Sequence, residues 1–241
     1  MKLTVIQASP HGMKGYTGRL LKPFLAAVKE SGAEVDLFSF DALTVYPCKG
    51  CVEICHGKGA CHLEDDCEKI LQSMLAADGI VFAVPNYMFG VTAQLKALLD
   101  RLSFTLHCMR LYGKYATTLV TCGGSPPEDV ENYLHKILPQ FGLRIIEGIN
   151  GVMMQFEDPD ENQKLEKASA DLGRRMVQAI QRKETRHEQE EAISQAFEIN
   201  SFIVQSQKDL WPFAYEYWNT HWSNGRPIPN IRIIDMNRRQ R

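Results

Sequence analysis

The sequence has no apolar run that approaches the roughly 18 residues needed to cross a bilayer. Its first eight residues, Met1 to Ala8, carry one charge and an apolar stretch too short for a secretory h-region. A membrane partner is excluded on this reading, and a cytoplasmic, reducing setting is expected. An excess of either charge is also missing: 27 Lys and Arg stand against 29 Asp and Glu, for a net charge of -2. A nucleic-acid partner held by bulk electrostatics is therefore not expected. Neither G-x-G-x-x-G nor G-x-x-x-x-G-K-[ST] occurs, which removes support for a dinucleotide fingerprint and for a triphosphate loop. There is no internal repeat and no low-complexity tract. What is present is 241 residues with 44% hydrophobic content, enough for one large packed domain and incompatible with a disordered, collagen-like or coiled-coil chain. Seven cysteines are also present, five of them between Cys48 and Cys67. In a reducing compartment such a cluster holds a metal or does redox chemistry more readily than it forms a disulfide framework.

Short apolar runs bounded by Gly, Pro or Asp alternate with longer stretches of helical periodicity. This is the pattern of a parallel sheet covered by helices on both faces. Strands are predicted over Leu3 to Ala8, Glu34 to Phe40, Gly79 to Val84, Ala116 to Cys122 and Leu143 to Gly148. Helices are predicted over Thr17 to Glu30, Asp66 to Ala77, Thr92 to Leu106, Glu128 to Phe141 and Glu161 to Gln181. The expected fold is an α/β, doubly wound, five-stranded parallel sheet of order 2-1-3-4-5 over residues 1–183, with a helical, aromatic-rich extension over 184–241. That extension opens on a charged helical pattern from Arg182 to Gln195. It then places Trp211, Phe213, Tyr215, Tyr217, Trp218 and Trp222 within twelve residues, and closes on Ile231 to Ile234 and the basic end Arg238 to Arg241. Such a composition suits either a helix packed on its own core or, the reading we favour, a subunit arm of a homo-oligomer, dimer or tetramer.

In doubly wound sheets ligands lie outside the C-terminal ends of the strands, where the strand order reverses. Three Gly-, Pro- and Ser-rich loops are predicted to meet there: Ser9 to Tyr16, Pro85 to Val91 and Gly123 to Pro127. In the first, backbone amides, the Ser9 and Thr17 hydroxyls and the positive end of the following helix make an anion site, or else simply a strand-to-helix turn. In the second, Tyr87 and Phe89 offer apolar faces to a flat ring ahead of a helix capped by Thr92, or else cover the sheet edge.

A strand ending in S-P, then a Cys-rich loop, then P-x-Y-x-x-G-x-x-x-x-L-K-x-x-x-D-R resembles the NAD(P)H-dependent FMN reductase and iron-sulfur flavoprotein family, over about residues 1–180. The helix half of the last motif, QLKALLDRL, is the most similar part. The resemblance implies a flavodoxin-like fold that binds FMN. By position it places Ser9, His11 and Thr17 beside the phosphate, Pro85, Asn86, Tyr87, Phe89 and Gly90 along the flavin, and Thr121, Gly123 and Gly124 in the third loop.

Cysteines 48, 51, 55 and 61 are spaced C-x2-C-x3-C-x5-C, whereas iron-sulfur flavoproteins have C-x2-C-x2-C and a fourth Cys further on. Three readings stay open: a [4Fe-4S] cluster on Cys48, Cys51, Cys55 and Cys61, a zinc site aided by His56 or His62, and a loop of free thiols. Cys67 reads as helix packing, Asp65 and Asp66 as caps of that helix, and Cys108 and Cys122 as core or near-core thiols, Cys122 at the end of the fourth strand being open to a flavin contact as well. His107 and His135 read as packing or surface residues, which leaves His11 as the only histidine in a ligand loop.

The expectation is an FMN-dependent oxidoreductase with NAD(P)H as co-substrate and a small molecule or protein as electron donor or acceptor. No side chain is assigned as a catalytic acid, base or nucleophile. Its rivals are a quinone or nitro-compound reductase without a cluster, and a non-catalytic electron carrier or redox sensor.

Overall fold

The computed structural model describes residues 1–222 and the backbone of 223 and 226–227. The basic end predicted at Arg238 to Arg241 and the Ile231 to Ile234 run lie outside the described residues. In chain order the elements are β1 (Lys2–Gln7), α1 (Tyr16–Glu30), β2 (Glu34–Ser39), α2 (Val52–Lys58), α3 (Cys67–Ala76), β3 (Gly79–Pro85), α4 (Ala93–Arg101), α5 (Ser103–His107) and β4 (Tyr115–Cys122). There follow α6 (Glu128–Ile137), β5 (Arg144–Val152), α7 (Met153–Glu157), α8 (Pro159–Arg182), α9 (His187–Ser206), α10 (Pro212–His221), β6 (Trp222–Ser223) and β7 (Arg226–Pro227).

The five long strands form one all-parallel sheet in the order β2-β1-β3-β4-β5, the flavodoxin-like arrangement expected from the alternation of runs. The central strands β3 and β4 are buried along their whole length. This is why they read as continuous apolar runs rather than alternating ones. One face of the sheet packs Ile6, Phe82 and Val84 against Leu71, Leu95, Leu98 and Leu134. The other packs Val5, Val81 and Leu119 against Leu20, Phe24, Leu172 and Met176 of α1 and α8.

Several boundaries differ from the sequence reading for identifiable reasons. The single helix expected over Thr92 to Leu106 is broken at Leu102, where the Thr105 hydroxyl donates to the Leu102 carbonyl at 2.6 Å and competes with the helical ladder. Helix α8 starts at Pro159 rather than Glu161. Asp158 caps it by accepting from the Asp160 and Glu161 amides, and Pro159 suits the first helical position, whose N–H needs no partner. The helix expected to reach Phe141 ends at Ile137 and tightens into a 3-10 turn, Leu138–Phe141, around Pro139. Strand β5 runs to Val152, past the expected Gly148. The pairing register shifts between Thr117 and Leu119, and at Gly148 a Cβ would stand 2.2 Å from the Thr118 carbonyl oxygen.

The extension is helical, as expected. Its aromatics form a third apolar cluster inside the chain: Phe197, Tyr217, Trp218 and Trp222 pack with Cys108 and Met109, and the Trp218 indole donates to the His107 carbonyl at 2.8 Å. Helix α9 is tied to the edge of the sheet by Gln189, whose carboxamide accepts from the Ile145 amide at 2.9 Å and donates to the Ile145 carbonyl at 2.8 Å. A side chain thus pairs with the backbone of one residue of the edge strand, as a sixth strand would there. Among the described residues no helix is long and apolar enough to cross a membrane.

Candidate flavin-binding site

At the C-terminal ends of β1, β3 and β4 lies a cavity of about 450 Å³. Of the residues predicted for the site, Ser9, His11, Thr17, Pro85, Asn86, Tyr87, Thr121 and Gly123 line it; Phe89, Gly90 and Gly124 do not. Lys14, Gly15 and Tyr16 of the first predicted loop and Cys122 at the end of the fourth strand complete the wall, with Arg19 and Met153, which were not anticipated.

The first loop is held by its own polar groups. Gln7, wholly buried, donates from its Nε2 to the Gly12 carbonyl and accepts on its Oε1 from the Ser9 amide, both at 3.0 Å. The Ser9 hydroxyl accepts from the His11 amide at 3.2 Å. Gly12 has φ +54°, a conformation that favours glycine, and a Cβ there would overlap the Asp41 carboxylate at 2.3 Å. The loop ends at Gly15, where α1 begins with no side-chain cap. Its first-turn amides and the positive end of a 15-residue helix therefore face the cavity wall.

Two cations stand at this end. Lys14 is exposed, and Arg19 is held in an aromatic box, its guanidinium 5.5 Å from the Tyr16 ring centroid and 5.2 Å from that of Phe156. Arg19 also donates to the Phe156 carbonyl at 2.7 Å, while Tyr16 donates to Glu157 at 2.9 Å. That hydrogen bond, with burial and the Glu157 charge adding to it, raises the Tyr16 phenol above its ordinary value. These contacts fix α7, and with it Met153, against the start of α1.

The second and third loops meet through Asn86. Its amide donates to the Thr121 carbonyl and its Nδ2 to the Pro126 carbonyl, both at 2.7 Å. Its Oδ1 is buried without a hydrogen-bond partner. Tyr87 and Gly90 then close a tight turn by two reciprocal backbone bonds, with Met88 and Phe89 at φ +50° and +61°. Left-handed backbone at two successive non-glycine residues is strained, and here it sits at the cavity mouth with Met88 92% and Phe89 63% exposed. Thr17 and Thr121 bridge the first and third loops through their hydroxyls at 2.6 Å. Cys122 lines the wall as a buried thiol whose pKa is raised, chiefly by burial.

The cysteine loop is organised differently. Gly50 donates its amide to the Cys48 sulfur at 3.4 Å. The Cys51 sulfur lies 3.6 Å from His62 Nδ1, and Cys55 donates back into its own helix, to the Val52 carbonyl at 3.4 Å. Burial, with the neighbouring Cys51 and Cys61, pushes the Cys55 thiol up to about 11. Among the described residues no three His, Cys, Asp or Glu side chains converge as ligands of a metal ion. As folded, the four thiols do not fit a cluster. The loop's two ends are closed by a buried ion pair, Arg101 with Asp65, and Arg101 also donates to the Leu63 carbonyl at 3.1 Å. Burial raises the Asp65 carboxyl, but the hydrogen bond from Arg101 and those from the Tyr46 and Cys67 amides outweigh it and hold the group below its ordinary value. Of the two expected helix caps, Asp65 binds the Cys67 amide, while Asp66 is drawn away to the Thr44 amide at 2.8 Å.

Comparison with known proteins agrees with this geometry. The model of the NADPH-dependent FMN reductase family matches residues 1–157. An iron-sulfur flavoprotein of Archaeoglobus fulgidus is 28% identical over 220 residues, covering 90% of this chain and 97% of that one. An iron-sulfur flavoprotein of Methanocaldococcus jannaschii is 41% identical over 101 residues, 42% of this chain and 51% of the other, so this match spans about half of that relative. Among solved structures, the NAD(P)H:quinone oxidoreductase from Methanothermobacter marburgensis has a TM-score of 0.58 at 18% identity, over 72% of this chain and 98% of that one. An FMN-dependent NADH-azoreductase from Bacillus anthracis, solved with FMN, has a TM-score of 0.57 at 16% identity, over 73% of this chain and 99% of the other. A flavodoxin-like sheet, three loops meeting at its switch point and a family match over the same residues lead to one conclusion: the chain belongs to the NADPH-dependent FMN reductase family and is an FMN-dependent oxidoreductase.

Proposed function

We propose that the cavity at the strand ends holds FMN, and that the protein uses NAD(P)H to reduce a small-molecule or protein acceptor through it. The observation that carries this reading is the anion site in the cavity wall: the uncapped start of α1 and the exposed Lys14 beside it, with Arg19, also held by Phe156 and Glu157, at the same end. These residues fit FMN. Ser9, His11, Lys14, Gly15 and Thr17 would hold the phosphate, and Pro85, Asn86, Tyr87, Thr121 and Gly123 the ring. When bound, FMN supplies the redox chemistry, taking two electrons from a reduced nicotinamide and passing them on singly or in pairs. The chain's own residues bind and orient. The first-turn amides and the cations neutralise the phosphate, and the Thr17 to Thr121 bridge and the Asn86 bonds fix the spacing of the three loops. The test is titration of the apoprotein with FMN, followed by flavin fluorescence, and anaerobic addition of NADH or NADPH. FMN is expected to bind more tightly than riboflavin by at least about tenfold, since only FMN presents an anion to the helix terminus. Equal affinity for the two, or no binding, overturns the reading.

The second reading, a [4Fe-4S] cluster on Cys48, Cys51, Cys55 and Cys61, is favoured by relatives named iron-sulfur flavoproteins. It requires Cys55 to leave the carbonyls of its own helix, so no step is routed through it. Iron and acid-labile sulfide in protein purified without oxygen would support it, and their absence would sink it. A cytosolic setting is consistent with seven unpaired thiols. A homo-oligomer remains part of the proposal, supported by Ile199 and Phe202, which α9 leaves 57% and 74% exposed.

A further inference from the structure

A second cavity, of about 250 Å³, lies at the opposite end of the sheet from the flavin site, where β4 and β5 begin and α8 gives way to α9. Strand β4 runs from Tyr115 in this wall to Thr121 and Cys122 in the other, which puts the two cavities about 20 Å apart. The wall is fixed by its own bonds. Tyr115, 6% exposed, donates its hydroxyl to the Glu184 carbonyl at 2.9 Å and so holds the turn between α8 and α9. Arg144 is neutralised within the wall, donating to both carboxylate oxygens of Glu190 at 2.5 and 3.2 Å. Buried Ile146 and Ala179 add apolar surface.

Two further cations line the same cavity without an ion pair to any described residue. Arg175 makes one hydrogen bond, long at 3.5 Å, to the Glu147 carbonyl, and Asp171, one turn before it, is taken by Arg174 at 2.7 Å. The Arg186 side chain makes no hydrogen bond or ion pair to any described residue. Of the lining residues only Glu184 is acidic, and Arg182 stands 3.8 Å from it. A lone exposed arginine is ordinary surface, but two on a cavity whose remaining charges are matched give it an excess of positive potential. We propose that this cavity is a binding site for a small organic dianion, whose anionic groups are held by Arg175 and Arg186 and whose carbon skeleton rests on Tyr115, Ile146 and Ala179. Two guanidiniums match two negative charges, and their forks suit a phosphate ester and a carboxylate alike. The volume equals that of about eight water molecules, which admits a ligand of about ten non-hydrogen atoms and not a second flavin. Such a ligand would tie β4 and β5 to α8 and α9, all of which contribute to the wall.

The test is calorimetric titration of the FMN-saturated protein with inorganic phosphate, phenyl phosphate and phthalate, the last two separating a phosphate ester from a dicarboxylate. One of the two organic dianions should bind at least about threefold more tightly than inorganic phosphate. Its affinity should fall at least about tenfold in the double variant Arg175→Gln/Arg186→Gln. Both side chains are exposed, so the variant should keep its urea midpoint. Binding of neither organic dianion, inorganic phosphate bound as tightly as both, or an affinity unchanged in the variant overturns the proposal. Amide exchange on the wild type locates the bound probe, and decides alone should the variant fail to fold. Slowing over residues 184–190 is expected; slowing over Ser9 to Tyr16 instead would place the probe on the flavin-phosphate loop and overturn the assignment. The inference stands apart from the flavin reading, because the exchange map separates the two sites in the apoprotein as well.

Discussion

The strand-end cavity and the cysteine loop hold most of the chain's reactive chemistry, yet they are finished in opposite ways. Around the cavity, polar groups are left open: α1 starts uncapped, and the Lys14 cation in the wall is exposed. In the cysteine loop they are turned inward. Three of its sulfurs have partners within the loop itself, Arg101 and Asp65 lock its ends, and α2 is pinned through His56, whose ring centroid lies 4.1 Å from that of Trp211, just before α10, and 5.2 Å from that of His107 in α5. Readiness for a ligand is thus a matter of whether free groups stand at open space, since the unpartnered atoms of the cysteine loop, His56 Nδ1 and Arg101 Nε, are sealed in packing, and not of how many reactive residues lie close in sequence. By that measure the loop that stands out most in the sequence is the less prepared of the two.

The most forceful way to break this contrast is at the clamp. Both side chains of the Arg101–Asp65 pair are 1% exposed, so removing one leaves an uncompensated buried charge. Arg101→Met should lower unfolding free energy by about 3–5 kcal/mol, read as a drop in the urea midpoint. If the loop and the cavity are separate devices, FMN affinity should fall by far less than stability does. An equal loss in both would show that the two regions are one unit.

A smaller effect comes from acid. Burial, with His107 beside it, pushes the His56 imidazole down to about 4. Burial also lowers His107, against the hydrogen bond it donates to Asn200 Oδ1, which favours its charged form. A histidine depressed in the folded state takes its proton first in the unfolded chain. The stability at stake is fully present above the unfolded value near 6.5 and is lost as pH falls from there toward about 4. For His56 the loss amounts to about 3 kcal/mol at most. Urea midpoints at pH 7.5 and pH 5 should show it, and His56→Leu should flatten the slope. A slope unchanged in the variant would mean that α2 is not fastened through this ring.

Much of the frame was legible because burial on both faces writes itself directly into sequence. Gly79 to Pro85 is a run of apolar residues because no position of β3 sees water. The first loop was legible through Ser9, His11 and Thr17, whose types suit an anion beside a helix start. Other parts were hidden in long-range packing. Arg19 reaches the cavity because Phe156, 137 residues away, accepts from it. Met153 forms a wall only because β5 runs past Gly148 before turning. Helix α2 was missed because seven residues around a cysteine motif carry little periodicity, and what holds it is Trp211 and Phe213 from the far end of the chain. The signal that could have found Lys14 and Arg19 was their charge, since an anion loop flanked by two cations is more than a turn.

The smallest effect tests whether the cavity frame is held in the way its hydrogen bonds imply. Thr92 is wholly buried, and its hydroxyl has two tasks: it accepts from the Leu95 amide at 3.3 Å to cap α4, and it donates to the Ala8 carbonyl at 3.0 Å, joining the end of β1 to the start of the flavin-loop helix. Thr92→Val keeps the shape and removes both bonds, so the loss should be about 1 kcal/mol from the cap, plus the cost of leaving the Ala8 carbonyl without its donor. Thr92→Ser keeps the hydroxyl and should recover most of this, and amide exchange at Leu95 should quicken in the valine variant and not in the serine one. A valine variant as stable as the wild type, with the serine variant weaker, would locate the contribution of Thr92 in its methyl group. The cavity would then be framed by apolar packing at this corner, and its difference from the cysteine loop would rest on the helix terminus and Lys14 alone.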